Sequence, residues 1–168
     1  MIRRLLSLSK APKSVTQISE AGTGKKQTTT EKGEAFEKKV AAWLKRQVKA
    51  TEVKHGRETL FKGKQAVRPF QIDVVVRGAD DTIYWAECKD RKPTIKRTDI
   101  NKFVHSAADV KATVGIAWKK PLKAWDFLLF FSTSPFDVDA INVAKQHGVG
   151  CYEYDGMKYH EKNKPKAV

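Results

Sequence analysis

Cysteine is scarce in this chain, long apolar runs are missing, and acids are few beside bases. Neither cysteine, Cys88 or Cys151, has a C-x-x-C neighbour or a paired-histidine pattern, so neither a zinc site nor a disulfide framework is indicated. Both fall in expected strands and read as buried thiols of a reducing compartment. The longest apolar run, Phe127-Leu128-Leu129-Phe130-Phe131, is far too short to span a membrane, and a soluble chain is expected. Asp and Glu number 19 against 33 Lys and Arg, a net charge of +14. That excess makes a polyanion the natural partner. Nucleic acid is the expected one, although a ribosome surface or an anionic membrane would suit the same charge.

What is present is a chain of 168 residues, 40% hydrophobic, enough for one core and no second domain. Its most informative stretch is Gln71-Ile72-Asp73, followed by Glu87-Cys88-Lys89. Pro69 to Val76 and Thr82 to Cys88 are β-branched and aromatic runs separated by Arg77-Gly78-Ala79-Asp80-Asp81, which predicts a hairpin. With the turn centred on Ala79, Asp73 stands opposite Trp85 and diagonal to Glu87. Alternation along the strands then puts Trp85, Glu87 and Lys89 on the face of Asp73. Register matters here, because a slip of one residue would separate the two acids.

Adjacent carboxylates repel one another, and a hard divalent cation between them, usually Mg²⁺ where phosphate is the substrate, removes the penalty. Lys89 beside an attacking water could orient it, help deprotonate it, or offset charge building on a phosphate. The chemistry this pattern predicts is phosphodiester hydrolysis. The bland alternative is a solvated strand face carrying weak cross-strand pairs.

At these residues the chain resembles the PD-(D/E)xK, or restriction-endonuclease-like, nucleases, in particular their Mrr-like and Holliday-junction-resolvase-like branch. Three segments carry the resemblance, between about residues 31 and 158. Gly33-Glu34-Ala35-Phe36-Glu37 opens a helix continuing through Val40, Ala41, Trp43, Leu44 and Val48, similar to the family's first helix, with Glu37 at its acid position. The hairpin supplies Asp73, Glu87 and Lys89, with Gln71 two residues before the Asp. Phe130 to Phe136, then Ala140, Val143 and Ala144, then Gly148 to Tyr152 look like a strand, a helix and a closing strand. The glycine-rich lead-in usual before the Asp is diluted here to Lys62-Gly63-Lys64-Gln65-Ala66.

The resemblance implies an α/β restriction-endonuclease-like core in the order α-β-β-β-α-β, with a central mixed sheet flanked by helices. It implies a DNA endonuclease using Mg²⁺, with Mn²⁺ as a substitute. Asp73, Glu87 and the main-chain carbonyl of Cys88 would hold the metal, Lys89 would stand beside the water, and Glu37 would complete the site. DNA rather than RNA rests on the resemblance, since charge alone does not separate them. Gln71, Arg91, Lys92, Lys96 and Arg97 are the expected nucleic-acid contacts, the last four in a basic loop leaving the catalytic strand. That loop equally reads as a cap for the next helix, whose apolar positions Ile100, Phe103, Val104 and Ala107 follow a Thr98 or Asp99 cap. His105 on that helix has no partner at metal-ligand spacing.

Farther along, Val114 to Trp118 reads either as a strand or as the end of that helix. Trp118 and Trp125 are expected to anchor a basic loop to the core rather than stack on bases. Phe127 to Phe131 predicts a central strand buried on both faces, with Ser132-Thr133-Ser134 as capping residues after it. A helix over Val138 to His147 closed by Gly148, then a strand over Cys151 to Tyr154, implies a parallel strand pair.

Residues 1–30 hold six cations against the single acid Glu20, with Ile2, Leu5 and Leu6 on one helical face. They read as a mitochondrial transit peptide or as a disordered basic tail adding affinity for DNA, the latter in a nuclear or prokaryotic protein. Gly22 to Lys32 reads as a linker, residues 31–158 as the nuclease domain and 159–168 as a frayed basic tail. Two other functions compete: a non-catalytic nucleic-acid-binding module of the same fold, and a structure-selective junction resolvase acting as a symmetric homodimer.

Overall fold

The computed structural model describes residues 28–55, 60–61, 70–113 and 125–167. The transit-peptide reading, the lead-in over 62–69, the question at 114–118, Trp118 and the basic connection that follows it lie outside those residues, apart from Thr28 to Thr30. Thr28 caps the first helix, and Thr29 and Thr30 open it rather than forming a linker. Helix α1 spans Thr29–Gln47, starting four residues before the expected Gly33 because Thr28 and Glu31 form a capping box. The Thr28 hydroxyl accepts from the Glu31 N–H at 3.2 Å, and the Glu31 carboxylate accepts from the Thr28 N–H at 2.7 Å.

Five strands follow: β1 (Glu52–His55), β2 (Leu60–Phe61), β3 (Phe70–Gln71), β4 (Val74–Arg77) and β5 (Ile83–Lys89). Then come α2 (Arg97–Thr113), β6 (Phe127–Ser132), α3 (Val138–Gln146), β7 (Gly150–Tyr154) and β8 (Tyr159–Asn163). Six strands form one mixed sheet in the order β1-β4-β5-β6-β7-β8, while β2 and β3 pair separately. Leaving that small pair aside, the chain runs α1, β1, β4, β5, α2, β6, which is the expected α-β-β-β-α-β order. The parallel pairs β5/β6 and β6/β7 lie at the centre, and antiparallel pairs flank them.

Helices cover both faces of the sheet. Helix α1 lays Phe36, Val40, Ala41 and Leu44 against Val74, Val76, Ala86, Leu129 and Phe131. Helices α2 and α3 pack Ile100, Phe103, Ala107, Ala140 and Ala144 against Val75, Trp85, Leu128 and Phe130 on the other face. The alternation along β6 thus feeds two cores at once, and the strand is buried on both sides as its composition predicts. Trp125 is buried with its ring 4.9 Å from that of Trp85, the expected anchor. Gly148 ends α3 with φ +68, a conformation glycine adopts without penalty. The cap of α3 is Asp137, whose carboxylate accepts from the Ala140 N–H at 2.7 Å, rather than the serines after β6.

Residues 159–163 form a strand, not a frayed tail. β8 pairs antiparallel with β7, and Tyr159 packs its ring 4.9 Å from Trp43 on α1. The pattern is short and mostly charged, so periodicity gives no sign of it; the hydrogen bonds of the β7 edge hold it in place. Among the described residues, no helix is long and apolar enough to cross a membrane.

Candidate functional site

The strand expected over Pro69 to Val76 is broken at Ile72 and Asp73. β3 turns away to pair with β2, and β4 begins only at Val74. Val74 faces Ala86 and Val75 faces Trp85, so the hairpin is centred on Asp80 rather than Ala79. The expected pairing of Asp73 with Trp85 is therefore corrected: continuing the register brings Asp73 level with Glu87. A shift of two in the pairing preserves the face, and the two acids still meet. The turn takes this centre because Asp81 adopts φ 63 and the Gly78 N–H bonds to the Thr82 carbonyl at 2.8 Å.

Asp73 is half-buried beside the end of β5, where its carboxylate accepts from the Cys88 N–H at 2.7 Å. Burial, and then the Glu87 charge, raise it to about 7, against the opposing pull of the Cys88 hydrogen bond. Glu37 reaches the same field from α1: burial raises its carboxyl first, followed by Glu34 and Glu87. Lys89 donates to the Glu87 carboxylate. Its burial works against the ammonium, but Glu87 and Asp73 outweigh that and raise it, so Lys89 stays charged. An ammonium suits stabilising a negative phosphate better than accepting a proton. Asp73 from the link between β3 and β4, Glu87 and Lys89 from β5 and Glu37 from α1 share one electrostatic neighbourhood.

Among the described residues, no three of His, Cys, Asp and Glu form a ready-made metal cage. The donors present are hard carboxylate oxygens with a strand carbonyl beside them. That set fits Mg²⁺, which binds through one or two carboxylates and keeps several waters. The energetic cost of ionising Asp73 next to Glu87 is one that a divalent cation would remove.

The nucleic-acid contacts expected in the loop fall into two groups. Arg91 pairs with Asp99 of α2, and Lys96 with Asp137 at 3.2 Å. These two cations tie the loop to the helices, the bland reading of that segment. Lys92 and Arg97 are exposed, as is Gln71 at the rim of the site. Helix α2 begins at Arg97, ahead of the expected Thr98 or Asp99 cap; Asp99 instead accepts from the Lys96 N–H at 2.8 Å within the first turn. His105 is exposed.

Two features escaped the sequence. A cavity of about 220 Å³ lies between Glu87 and Lys89 and the α2 stripe Asp99, Lys102, Phe103, Ser106 and Ala107. Helical spacing of that stripe was the available signal. On the α1 side an opening of about 560 Å³ is lined by Glu34, Glu37, Lys38, Gln71 and His55, the last at the end of β1.

No protein-family profile matches the chain, and no curated protein sequence matches it. It is similar to the crystal structure of a protein of unknown function, AF1548, with a TM-score of 0.53 at 19% identity over 71% of this chain and 55% of that one. This is a likeness of fold. A repair endonuclease from Pyrococcus abyssi gives a TM-score of 0.44 at 14% identity, covering 72% of this chain and 46% of that one. EndoMS in its apo form gives 0.41 at 14%, covering 73% and 47%. The chain thus spans about half the length of the solved structures it matches.

Proposed function

We propose that this chain is a metal-dependent endonuclease that hydrolyses DNA phosphodiester bonds. The observation that carries the reading is the convergence of Asp73, Glu87, Lys89 and Glu37 at one end of the β4/β5 pair, with the Asp73 carboxyl raised to about 7 beside Glu87. A surface feature with no chemistry to do would not be expected to gather two acids into a half-buried corner. The net charge of +14 and the resemblance to PD-(D/E)xK nucleases support a polyanionic substrate and this reaction.

Asp73 and Glu87, with the Cys88 carbonyl, would hold Mg²⁺, or Mn²⁺ in its place. When bound, the cation supplies Lewis acidity and lowers the pKa of water. The Lys89 ammonium, steered by Glu87, offsets charge developing on the phosphate. Glu37 adds a carboxylate from the α1 side, and the Cys88 N–H fixes the direction of Asp73. Of the expected contacts, Gln71, Lys92 and Arg97 are exposed and left to hold flanking phosphates.

The test uses the full chain with labelled linear, single-stranded and four-way-junction DNA, and with RNA, in Mg²⁺ or Mn²⁺. Metal-dependent DNA cutting lost in Lys89→Ala and Asp73→Ala is the expected result. Salt-sensitive binding without cutting, unchanged by either substitution, would leave a binding module in its place. Preference for the junction, together with a dimeric mass, would mark the resolvase form. A mitochondrial role rests on the composition of residues 1–30 alone; a reporter fused to them that stays in the cytosol would remove it.

A further inference from the structure

Helix α1 carries its charges on separate flanks. Glu34 and Glu37 line the opening on one side, whereas Lys32, Lys39 and Arg46, spaced seven residues apart and so nearly two full turns, form an exposed row on the other. Two adjoining hollows, of about 380 and 450 Å³, run beside that row and share Lys39 and Tyr154. Their opposite wall is the turn between β7 and β8, which adds the exposed Lys158. The groove thus holds four cations against two acids, Asp90 and Asp155. Both acids are engaged: Asp90 accepts from the Thr133 hydroxyl at 2.9 Å, and Asp155 accepts from the Met157 and Lys158 N–H groups at 2.8 and 2.9 Å and pairs with His160. Among the described residues, none of the four cations pairs with a carboxylate. One end of the groove adjoins the proposed reacting groups, since Asp90 follows Lys89 and the Thr133 N–H bonds to the Lys89 carbonyl at 3.1 Å.

Unpaired cations at regular intervals suit a polyanion with regular charges, and the aromatic rings decide its form. Proteins that grip single strands stack bases on free aromatic faces. Here the rings are committed to one another: Lys39 stands over the Tyr154 ring at 5.5 Å, Tyr154 packs against Tyr159 at 4.8 Å, and Tyr159 against Trp43 at 4.9 Å. Bases therefore stay in their own stack and the contacts go to phosphates. We propose that the groove between α1 and the β7–β8 turn holds the sugar-phosphate backbone of duplex nucleic acid where it leaves the reacting groups. This rests on the nuclease reading and deepens it by giving the duplex a path. From Lys32 to Arg46 the row is about 21 Å long, the length of about six base pairs. Phosphate contacts fix position without reading bases, so the groove sets the footprint and not the sequence.

Binding of the full chain to a fluorescent duplex in EDTA, over a series of salt concentrations, tests this. The triple variant Lys32→Gln, Lys39→Gln, Arg46→Gln is compared with Lys45→Gln, Lys145→Gln, Lys164→Gln, which removes the same charge from positions off the groove; all six are exposed, so both proteins keep the fold. Each phosphate contact adds about 0.9 to the slope of log affinity against log salt, so the first triple should flatten that slope by roughly 2 to 3 and the second by less than about 1. Equal slopes for the two triples overturn the proposal, because the charge then acts only as a diffuse field. So does loss of binding to vesicles containing phosphatidylserine in the first triple with duplex binding unaltered, which would make a membrane the occupant. A slope flattened in the first triple alone, with no cutting by wild type in Mg²⁺ or Mn²⁺, keeps the groove and sinks the nuclease reading, whereas cutting with equal slopes sinks the groove alone.

Discussion

Two side chains decide what the site can do. Lys89 is bound to Glu87 at the end of a strand and is partly exposed, so its removal should leave the fold intact. Lys89→Ala is expected to lower the cleavage rate by roughly 10²–10³-fold with little change in Tm, as for loss of one preorganised charge-stabilising group. Asp73 is held up to about 7, above its value in the unfolded chain, so its bound proton favours the folded state. Without divalent cations, that contribution is complete below about pH 4 and is lost as the pH rises through 7. Asp73→Asn should therefore raise Tm by several degrees at pH 8 in EDTA and have a smaller effect at pH 5, a contrast that thermal melts at both pH values would show. That Asp73, Glu87 and Lys89 would come together was legible from a period of two along the two runs, and the structure brings them together even though Asp73 stands just ahead of β4. Their pairing was not, because the turn centre depends on the left-handed Asp81, and many residue types can occupy such a turn. The partners of Arg91 and Lys96 were also hidden, since each acid is contributed by a helix that packs only in the folded molecule.

At the level of elements, helix ends obey local chemistry that overrides a pattern drawn from apolar spacing. The apolar stripe of α1 starts at Phe36, yet the helix starts at Thr29 because a capping box forms upstream. Thr28→Ala should cost about 0.5–2 kcal/mol, measured by urea denaturation, because it removes one acceptor from the reciprocal pair. Glycine at 148 carries a second constraint. Its φ is +68, and a Cβ there would lie 3.2 Å from the Lys166 Cβ and 3.3 Å from the Lys166 carbonyl oxygen. Gly148→Ala is expected to destabilise by about 1 kcal/mol or more, visible as a lower denaturation midpoint at unchanged slope. Central strands were read correctly where composition is unambiguous, as in Phe127 to Phe131. β8 was missed because Tyr-His-Glu-Lys-Asn carries no apolar alternation. Only its pairing with β7 and the contact of Tyr159 with Trp43 make it a strand.

For the whole molecule, the edge at β8 closes the aromatic cluster of Trp43, Phe131, Tyr152, Tyr154 and Tyr159. At the end of the strand the Asn163 side-chain amide donates to the Val149 carbonyl at 2.7 Å, and beyond it the Lys166 N–H bonds to the Gly148 carbonyl at 2.9 Å. A chain ending at residue 158 should thus expose β7, bind a hydrophobic dye and melt without a sharp transition, where a dispensable tail would leave the melt unchanged. The charge of +14 acts at the same scale. Duplex affinity should fall by roughly 10²-fold or more between about 50 and 200 mM salt, as read from a titration series.

The sheet order also has a consequence in time. Glu87 and Lys89 of β5 lie between β4, which is a hairpin away, and β6, which arrives about 40 residues later and pairs Glu87 with Phe130 and Lys89 with Ser132. Local hairpin closure is fast, whereas a parallel pairing across such a separation is slow, because the loop entropy is lost before the contacts are gained. A chain still emerging during synthesis has its acids but not the strand that fixes them. The site is finished only when residues 127–132 have docked, so the strand that carries Glu87 and Lys89 waits for a partner made after it.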